Sequence, residues 1–283
     1  KFLVCPFNPY SYYQKDHIQE KVIDEFVKEK QYDIIVCRYI DVVISTGLLK
    51  YSNRLVIDVD DNPVNAMLRD ISTSPLYSKF KKNILRLKAH VSGLMIRNVL
   101  SKVKCSFYSN ILEPPYKHSI YIHNTTNIVD DLPLISQATP LRVLVVGTLD
   151  YSPNLIGIMH FVENVFPHIL SKQPNVELRI VGRISNAKVR QKLSEFKNVK
   201  TLGYIPDVIT EYEQSRVIIV PLYHGSGTSV KFIEAANMKR PIVSTAMGAR
   251  GIGYAFSDGL DYLLANDDLD FADKVIHLLN AID

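Results

Sequence analysis

The second half of the chain alternates short, almost wholly apolar runs with helix-like patterns, and this alternation restricts the fold more than any other feature. The apolar runs span residues 141–146, 176–181, 199–202, 217–221 and 241–245. Between the first two runs, apolar residues such as Ile158, Val162 and Val165 recur at helical spacing. Strands that are apolar throughout lie in parallel sheets covered by helices on both faces. Right-handed crossovers then predict a doubly wound, Rossmann-like α/β domain.

The first half alternates in the same way, although less cleanly. It predicts helices over 15–30 and 64–100, the second broken near Pro75, and strands over 33–37, 54–59, 104–108 and 119–123. A polar, Pro-containing stretch over 132–140 is typical of a linker. With 283 residues the chain is long enough for two domains. We therefore expect an N-terminal Rossmann-like domain over 1–138 and a C-terminal one over 139–283.

Composition restricts the class of protein. Apolar residues make up 47% and charged residues 22%, the balance of a soluble globular protein. No apolar run approaches the roughly 18 residues that a membrane-spanning helix needs. The three cysteines lie far apart among apolar neighbours, which predicts reduced, structural thiols in a cytoplasmic protein. No cysteine–histidine cluster indicates a metal site.

The net charge of +4 arises from the first half, where no acidic residue occurs between Asp70 and Glu113. Apolar residues recur through the same stretch at helical spacing: Ile84, Leu87, Val91, Leu94 and Met95. Residues 79–104 could therefore lie on an anionic, inner-leaflet membrane surface. The preferred interpretation is instead a helix whose apolar face packs on the core and whose basic face is solvated. No aromatic platform or RNA-binding motif supports nucleic acid as a partner.

The clearest candidate for a binding site is the turn from the run at 217–221 into the next helical pattern. Gly225, Gly227, Thr228 and Ser229 lie in this turn. Glycines there let backbone N–H groups approach an anion, and the helix N-terminus adds about half a positive charge. A nucleoside diphosphate suits such a site.

Two charged residues follow on the same helix. Lys231 lies in its first turn and can reach a phosphate as a point charge. Glu234 follows on the same face and can accept hydrogen bonds from both ribose hydroxyls. The alternative is that the glycines only end a strand and that Glu234 is a solvated helix residue.

The segments Val143–Arg183 and Val217–Ile252, together with the intervening LGYIPDV, resemble the donor-binding domain of family 4 glycosyltransferases. The resemblance covers about residues 141–255 and implies the GT-B fold, in which two Rossmann-like domains face a central cleft. It further implies a retaining, metal-independent hexosyltransferase of polysaccharide biosynthesis that needs no cofactor. The donor would be a UDP- or GDP-sugar, and the acceptor a hydroxyl of a glycan or a lipid-linked molecule.

The resemblance also implies roles for individual residues. Glu234 matches the ribose ligand of the family. The turn at Gly147 would approach the donor phosphates, and Tyr204 would belong to a segment that packs against the nucleobase. An ordinary loop is the equal alternative for Tyr204.

Three features depart from the family pattern. Ser226 stands where many members carry a first glutamate that faces the sugar. No basic residue follows Gly147, so Arg183 is our candidate for the remaining phosphate charge, with an ordinary surface arginine as the equal alternative. The first domain looks short and lacks a glycine-rich loop, and we expect residues to be missing before Lys1 or within the chain, and the C-terminal end to be clipped.

Acidic residues mark the acceptor side. Val56–Asp61 ends a strand with three carboxylates, at the sheet edge where open α/β folds bind ligands. Asp60 takes the position of a histidine that many family members carry, and it could orient an acceptor hydroxyl or remove its proton. A capping cluster before Pro63 is the alternative. Lys231 is the second catalytic candidate, because it would stabilise the leaving diphosphate.

Two other functions remain open. A nucleotide-sugar epimerase would share the GT-B fold, and a catalytically silent glycan-binding homologue would bind a donor without turnover. A dehydrogenase is disfavoured, because the first strand lacks the G-x-G-x-x-G fingerprint followed by an acid.

Overall fold

The chain folds as two compact units, Lys1–His123 and Asn124–Asp283. The computed structural model describes residues 17–60, 62, 64–65, 67–68, 71, 78–109, 116–126, 132–225 and 227–281. The start of the helix predicted over 15–30 lies outside these residues, and so does the break near Pro75 in the helix predicted over 64–100. Asp61 and Ser226 also lie outside them.

The first unit is a layer of parallel strands with helices against it. Its elements are α1 (His17–Lys30), β1 (Ile35–Arg38), α2 (Ile40–Ser45), a 3₁₀ helix (Leu48–Arg54), β2 (Leu55–Asp60), α3 (Lys79–Leu100), β3 (Cys105–Tyr108) and β4 (Ser119–Tyr121). The strands pair in parallel in the order β1-β2-β3-β4. Each predicted strand is confirmed, whereas α2 and the 3₁₀ helix were not predicted.

Helix α3 has apolar residues on two opposite sides. Ala89, Ile96 and Leu100 are buried and join the core with the strands. At 100° per residue, the opposite side carries Phe80, Ile84, Leu87 and Leu94, whose side chains are 76%, 43%, 64% and 54% exposed. The preferred sequence interpretation, in which Ile84, Leu87 and Leu94 face the core, is therefore wrong. Periodicity alone could not distinguish the two apolar stripes of this helix.

The second unit is a six-stranded parallel sheet with helices on both faces. Its elements are β5 (Arg142–Val146), α4 (Ser152–His160), a π-helical turn (Phe161–Val165), α5 (Phe166–Lys172), β6 (Glu177–Val181), α6 (Ala187–Ser194), β7 (Val199–Gly203), α7 (Ile209–Glu213), β8 (Val217–Val220), α8 (Val230–Asn237), β9 (Ile242–Thr245), β10 (Leu263–Ala265) and α9 (Asp268–Asn280). The strand order is β10-β9-β8-β5-β6-β7. The predicted doubly wound domain is confirmed, with β10 and α9 as additions.

Each face of this sheet has its own apolar core. On one face Phe161, Phe166 and Phe271 pack together, with ring centroids 5.3 Å apart for Phe161 and Phe271. On the other face Tyr212 and Phe232 are buried against β8 and β9. Burying an aromatic side chain of this size is among the largest single contributions to folding. The helices are therefore fixed to the sheet by packing on both sides.

The segment predicted as an interdomain linker belongs to the second unit. The Arg216 guanidinium donates to the carbonyls of Gln137, Thr139 and Leu279 at 3.1, 2.8 and 2.9 Å. Arg240 donates to the Pro133 carbonyl at 2.9 Å. Both arginines are more than 90% buried. These charged donors hold residues 133–139 to the second unit. The division between the two units falls after His123, whereas the predicted boundary lies at 138.

Among the helices of the described ranges, none is long and apolar enough to cross a membrane.

Candidate functional site

The strand order of the second unit reverses at its centre, between β5 and β8. The strand that follows β5 in the chain, β6, pairs on one side of it, whereas β9 extends the sheet in the other direction beyond β8. Ligands of open α/β sheets bind outside the carboxyl ends of the strands at such a switch point. A narrow pocket lies there, lined by Val145, Val146, Asn154, Ile158, Ile219, Val220, Pro221, Leu222 and Lys231.

Two glycines allow the backbone to close around this pocket. A Cβ atom on Gly182 would lie 2.1 Å from the Gly147 carbonyl oxygen, and Gly182 has a φ of +147°. The Gly147 N–H donates to the Val181 carbonyl at 2.8 Å. The turns after β5 and β6 therefore touch through their backbones, which only glycine at 182 permits. This contact fixes the position of Gly147 at the pocket.

The loop from β8 to α8 needs glycine for a different reason. Gly225 and Gly227 have φ values of +143° and +75°, which other residues rarely adopt. Two residues at and after the end of β9 contact this loop. The Thr245 hydroxyl donates a hydrogen bond to the Leu222 carbonyl, and Arg250 Nη1 lies 3.5 Å from the Gly225 carbonyl oxygen. Sequence reasoning did not assign either residue. Ser226, the departure from the family pattern, lies outside the described residues.

The N-terminus of α8 follows this loop. Ser229 precedes the helix but its side chain makes no capping hydrogen bond, and its hydroxyl oxygen is buried without a partner among the described residues. The N–H groups of Phe232 and Ile233 bond to the Ser229 carbonyl at 3.1 and 3.3 Å. The first N–H groups of a helix have no partner within it. Those of Val230 and Lys231 are therefore positioned to bind an anion.

Lys231 reaches from α8 to the turn after β5. A Cβ atom on Gly147 would lie 2.6 Å from Lys231 Cε and 2.9 Å from Asn154 Nδ2. The structure thus brings together Gly147 and Lys231, two of the predicted site residues, from separate elements. Asn154, which the sequence analysis assigned no role, is the third member of this group. Its position in the first turn of the helix after β5 was the available signal.

Lys231 and Glu234 are both partly buried, and burial changes the pKa of each. Burial lowers the pKa of Lys231 below 10.5, and the nearby Glu234 carboxylate partly offsets this. Burial raises the pKa of Glu234 above 4.5, again partly offset by Lys231. Within the described part of the chain, neither charged group forms a hydrogen bond or an ion pair. A desolvated cation and carboxylate at a helix N-terminus can bind a ligand that carries both anionic groups and hydroxyls.

Two other predicted residues lie nearby with different surroundings. Arg183 donates from Nε to Asp150 Oδ2 at 2.7 Å, and its side chain is 71% exposed. The pKa of Asp150 is lowered, first by hydrogen bonds from Ser185 and then by Arg183. Much of the Arg183 charge is therefore already offset by Asp150. Tyr204 follows β7 and is 75% exposed.

In the first unit, Asp60 ends β2 in an unusual conformation. Its φ is +59°, and the pairing of β2 with β3 shifts in register between Asp58 and Asp60. The Asp60 carboxylate accepts hydrogen bonds from Arg38 Nη2 at 3.1 Å and from the Ser109 hydroxyl at 2.7 Å. Aspartate adopts this left-handed conformation more readily than most residues, and such conformations recur at functional sites. Arg38 and Ser109, at the ends of β1 and β3, were not predicted as partners.

Several known proteins resemble this chain. A Klebsiella pneumoniae protein named as an uncharacterised 44.6 kDa protein in the cps region is 24% identical over 271 residues, which cover 89% of this chain and 67% of that protein. The crystal structure of TarM has a TM-score of 0.68 and 16% identity, over 93% of this chain and 51% of TarM. HepE of Anabaena in complex with UDP and glucose has a TM-score of 0.59 and 14% identity, over 92% and 71%.

The pneumococcal O-GlcNAc transferase GtfA, solved with UDP and GlcNAc, has a TM-score of 0.60 and 13% identity, over 92% of this chain and 53% of GtfA. These likenesses confirm the predicted GT-B type of fold, and the chain spans about half the length of TarM and GtfA. The family of glycosyl transferases group 1 matches residues 140–281, which contain the whole switch-point pocket. The chain therefore belongs to the glycosyl transferases group 1 family.

Proposed function

We propose that this protein is a retaining glycosyltransferase of family 4, which transfers a hexose from a UDP-sugar to a hydroxyl of a glycan or a lipid-linked acceptor. The observation that carries the proposal is the grouping of Lys231, Glu234 and the N-terminus of α8 at the switch point of the second sheet. A diphosphate supplies the anion that the helix end and Lys231 can bind. The ribose supplies two hydroxyls that can donate hydrogen bonds to the Glu234 carboxylate.

UDP is preferred over GDP because two solved structures of similar fold, HepE and GtfA, contain UDP. In the proposed reaction the bond between C1 of the sugar and the diphosphate oxygen breaks, and the acceptor oxygen bonds to C1 on the same face. The acceptor proton passes to the leaving diphosphate, on which negative charge develops as the bond breaks. Lys231 and the N–H groups of α8 would stabilise that charge without reorganising, and in many enzymes such electrostatic stabilisation lowers the barrier more than any other effect. No metal or cofactor is required by this scheme.

On the acceptor side, Asp60 would orient the attacking hydroxyl. Its carboxylate is fixed by Arg38 and Ser109, so it is preorganised rather than free to rotate. A retaining transfer depends on stabilising the leaving group more than on a strong base, which suits a carboxylate already paired with an arginine. Asp60→Asn should therefore lower kcat while leaving the affinity for UDP unchanged, as checked by initial rates and calorimetry.

Donor binding can be tested by calorimetric titration with UDP, GDP and ADP. We expect UDP to bind and Glu234→Ala to weaken that binding by about tenfold, because a carboxylate hydrogen bond to a hydroxyl is worth about 1.5 kcal/mol or more. Glu195→Ala is the matched control, since Glu195 is an exposed residue at the end of α6. A folded protein that binds none of the three nucleotides would contradict the proposal.

Turnover separates the transferase from its two alternatives. UDP-glucose and UDP-GlcNAc should be consumed only when an acceptor is present, and proton NMR of the product should show the same anomeric configuration as the donor. Conversion of the donor sugar without an acceptor would indicate an epimerase. Donor binding without turnover on any glycan or lipid-linked acceptor would indicate a catalytically silent homologue.

We also propose that α3 attaches the protein to an anionic membrane surface. Its exposed stripe of Phe80, Ile84, Leu87 and Leu94 lies opposite the buried side. At 100° per residue, a row of basic residues lies on each side of this stripe. One row contains Lys79, Arg86 and Arg97, and the other contains Lys81 and Lys88. The helix contains no acidic residue. An apolar stripe between two basic rows fits the boundary between acyl chains and anionic headgroups.

Sedimentation with lipid vesicles tests this attachment. Binding should require anionic phosphatidylglycerol in phosphatidylcholine vesicles, should decrease with salt, and should be lost in Phe80→Ser/Leu87→Ser. Leu260→Ser is the matched control, because Leu260 is 83% exposed in the second unit. Equal binding to neutral vesicles, or no effect of the double substitution, would contradict the proposal.

A further inference from the structure

Asn154 is a buried polar side chain in a pocket that is otherwise lined mainly by hydrocarbon. It is 3% exposed, and its Nδ2 group donates to the Thr148 carbonyl at 2.7 Å. Its Oδ1 atom is buried and has no hydrogen-bond partner among the described residues. The Nδ2 bond fixes which way the amide points, so Oδ1 is directed away from Thr148. A buried acceptor without a partner is costly, and such groups in native proteins call for an explanation.

The missing partner is a donor, and the pocket contains one. Apart from Asn154 and Lys231, all the side chains that line the pocket are apolar: Val145, Val146, Ile158, Ile219, Val220, Pro221 and Leu222. A Cβ atom on Gly147 would touch both Lys231 Cε, at 2.6 Å, and Asn154 Nδ2, at 2.9 Å. The Cε methylene that carries the Lys231 ammonium and the amide nitrogen of Asn154 thus lie around the same point. The ammonium is a donor and Asn154 Oδ1 is an acceptor, and among the described residues neither has a hydrogen-bond partner.

We propose that Asn154 is a positioning residue: when the donor binds, its Oδ1 atom accepts a hydrogen bond from the Lys231 ammonium and holds the ammonium towards the diphosphate. This inference rests on the donor site proposed above. A lysine side chain is flexible and its charge is compact, so an uncharged acceptor beside it fixes the direction of the charge without neutralising it. Asn154 also opposes the effect of burial, which lowers the pKa of Lys231.

The alternative is a purely structural role, in which Asn154 only holds the turn after β5 through the Thr148 carbonyl. Two substitutions test these roles. Asn154→Ala removes both the donor to Thr148 and the acceptor for Lys231. Asn154→Asp also removes the donor but keeps an acceptor, now negatively charged, beside the ammonium. The carboxylate of Asn154→Asp raises the pKa of Lys231 in either role, so Asn154→Ala decides between them. A structural role predicts that Asn154→Ala leaves the pH at which Lys231 loses its proton unchanged, whereas the positioning role predicts that this pH becomes lower.

The readout is the pH dependence of UDP binding, measured by calorimetry from neutral pH up to the ordinary lysine pKa of 10.5. Binding should weaken at high pH as Lys231 loses its proton. In Asn154→Ala this loss should occur about one pH unit lower, and in Asn154→Asp at higher pH than in the wild type. At neutral pH, Asn154→Ala should bind UDP about tenfold more weakly. No shift in Asn154→Ala, or a shift to higher pH, would overturn the proposal.

Lys231→Met separates this proposal from the proposed function. If Lys231→Met binds UDP as tightly as the wild type, the donor role of Lys231 fails and this inference fails with it. If Lys231→Met weakens binding and removes the loss at high pH, the donor role stands. Asn154→Ala should then have no further effect in the Lys231→Met background. A full additional effect there would overturn only the role of Asn154.

A measurement on the unmodified protein covers the case in which a variant does not fold. In an NMR titration, the side-chain amide signals of Asn154 should shift with the same midpoint as the ε-protons of Lys231. Amide signals that do not follow the Lys231 titration would overturn the proposal.

Discussion

Gly147→Ala tests the central geometry of the pocket with a single methyl group. The new Cβ atom would lie 2.6 Å from Lys231 Cε, whereas carbon atoms in contact are about 3.5–4.0 Å apart. Asn154 is buried and bonded to Thr148, so it cannot move away easily. Lys231 is the flexible partner and must retreat by about 1 Å. Because Gly147 does not have a positive φ, the backbone itself accepts alanine.

The expected result follows from the loss of a charge-assisted contact. Hydrogen bonds to charged groups contribute about 1.5–3 kcal/mol, so UDP affinity should decrease by about tenfold to a hundredfold. Overpacking should cost about 1–3 kcal/mol of stability, which leaves the protein folded. Calorimetric titration with UDP measures the affinity, and urea unfolding measures the stability.

Gly253→Ala is the matched control, because its Cβ atom would meet nothing within 4 Å and its φ is not positive. It should change neither quantity. Gly147→Ala and Lys231→Met should also not be additive, because both displace the same ammonium. A folded Gly147→Ala protein that binds UDP as tightly as the wild type would refute the close contact of Lys231 with Gly147 as an origin of donor affinity.

Three further predictions concern charge and packing. UDP affinity should fall as the pH decreases through the raised pKa of Glu234, which lies above 4.5, because protonation turns one of the two acceptor oxygens into a donor and removes the charge. Calorimetry on Glu234→Gln should show no such acid loss. Gly93→Ala should stabilise the protein by about 0.5–1 kcal/mol, because Gly93 lies inside α3 and its Cβ atom would meet only Val64, at an ordinary contact distance of 3.8 Å. Urea unfolding measures this, and destabilisation would contradict the packing of α3 against Val64. Arg216→Met should lower the free energy of unfolding by about 3 kcal/mol, because three carbonyls lose a buried donor. If Arg216→Met lowered it no more than Arg183→Met, which removes an exposed arginine, Arg216 would not hold residues 137–139 to the second unit.

The sequence determined where most strands of the second sheet lie. Its first five strands are short runs rich in apolar residues, and a glycine ends or follows three of them, so strand, turn and parallel class all follow from local pattern. The loop with Gly225 and Gly227 and the helix with Lys231 and Glu234 were found for the same reason. Strand β10 is only three residues long, which is too short for a pattern to indicate.

The sequence could not choose between equivalent patterns. Helix α3 carries two apolar stripes with the same period, and only packing against the first sheet decided that Ala89, Ile96 and Leu100 face inward. The linker-like composition of 132–140 gave no indication that Arg216 and Arg240 hold this segment to the second unit. In both cases the deciding contacts come from residues distant in sequence.

The details of the candidate site required the tertiary structure. The sequence placed Gly147 after one strand and Lys231 in the first turn of a helix that follows another strand, and it gave no role to Asn154. Their meeting depends on the strand order, which puts β5 beside β8, and on Gly182, whose missing side chain lets the turns after β5 and β6 touch. Local pattern specifies each strand by itself, but the order of strands in a sheet is set by how all the helices and strands pack together. That is why the residue types of the site could be identified from the sequence while their contacts could not.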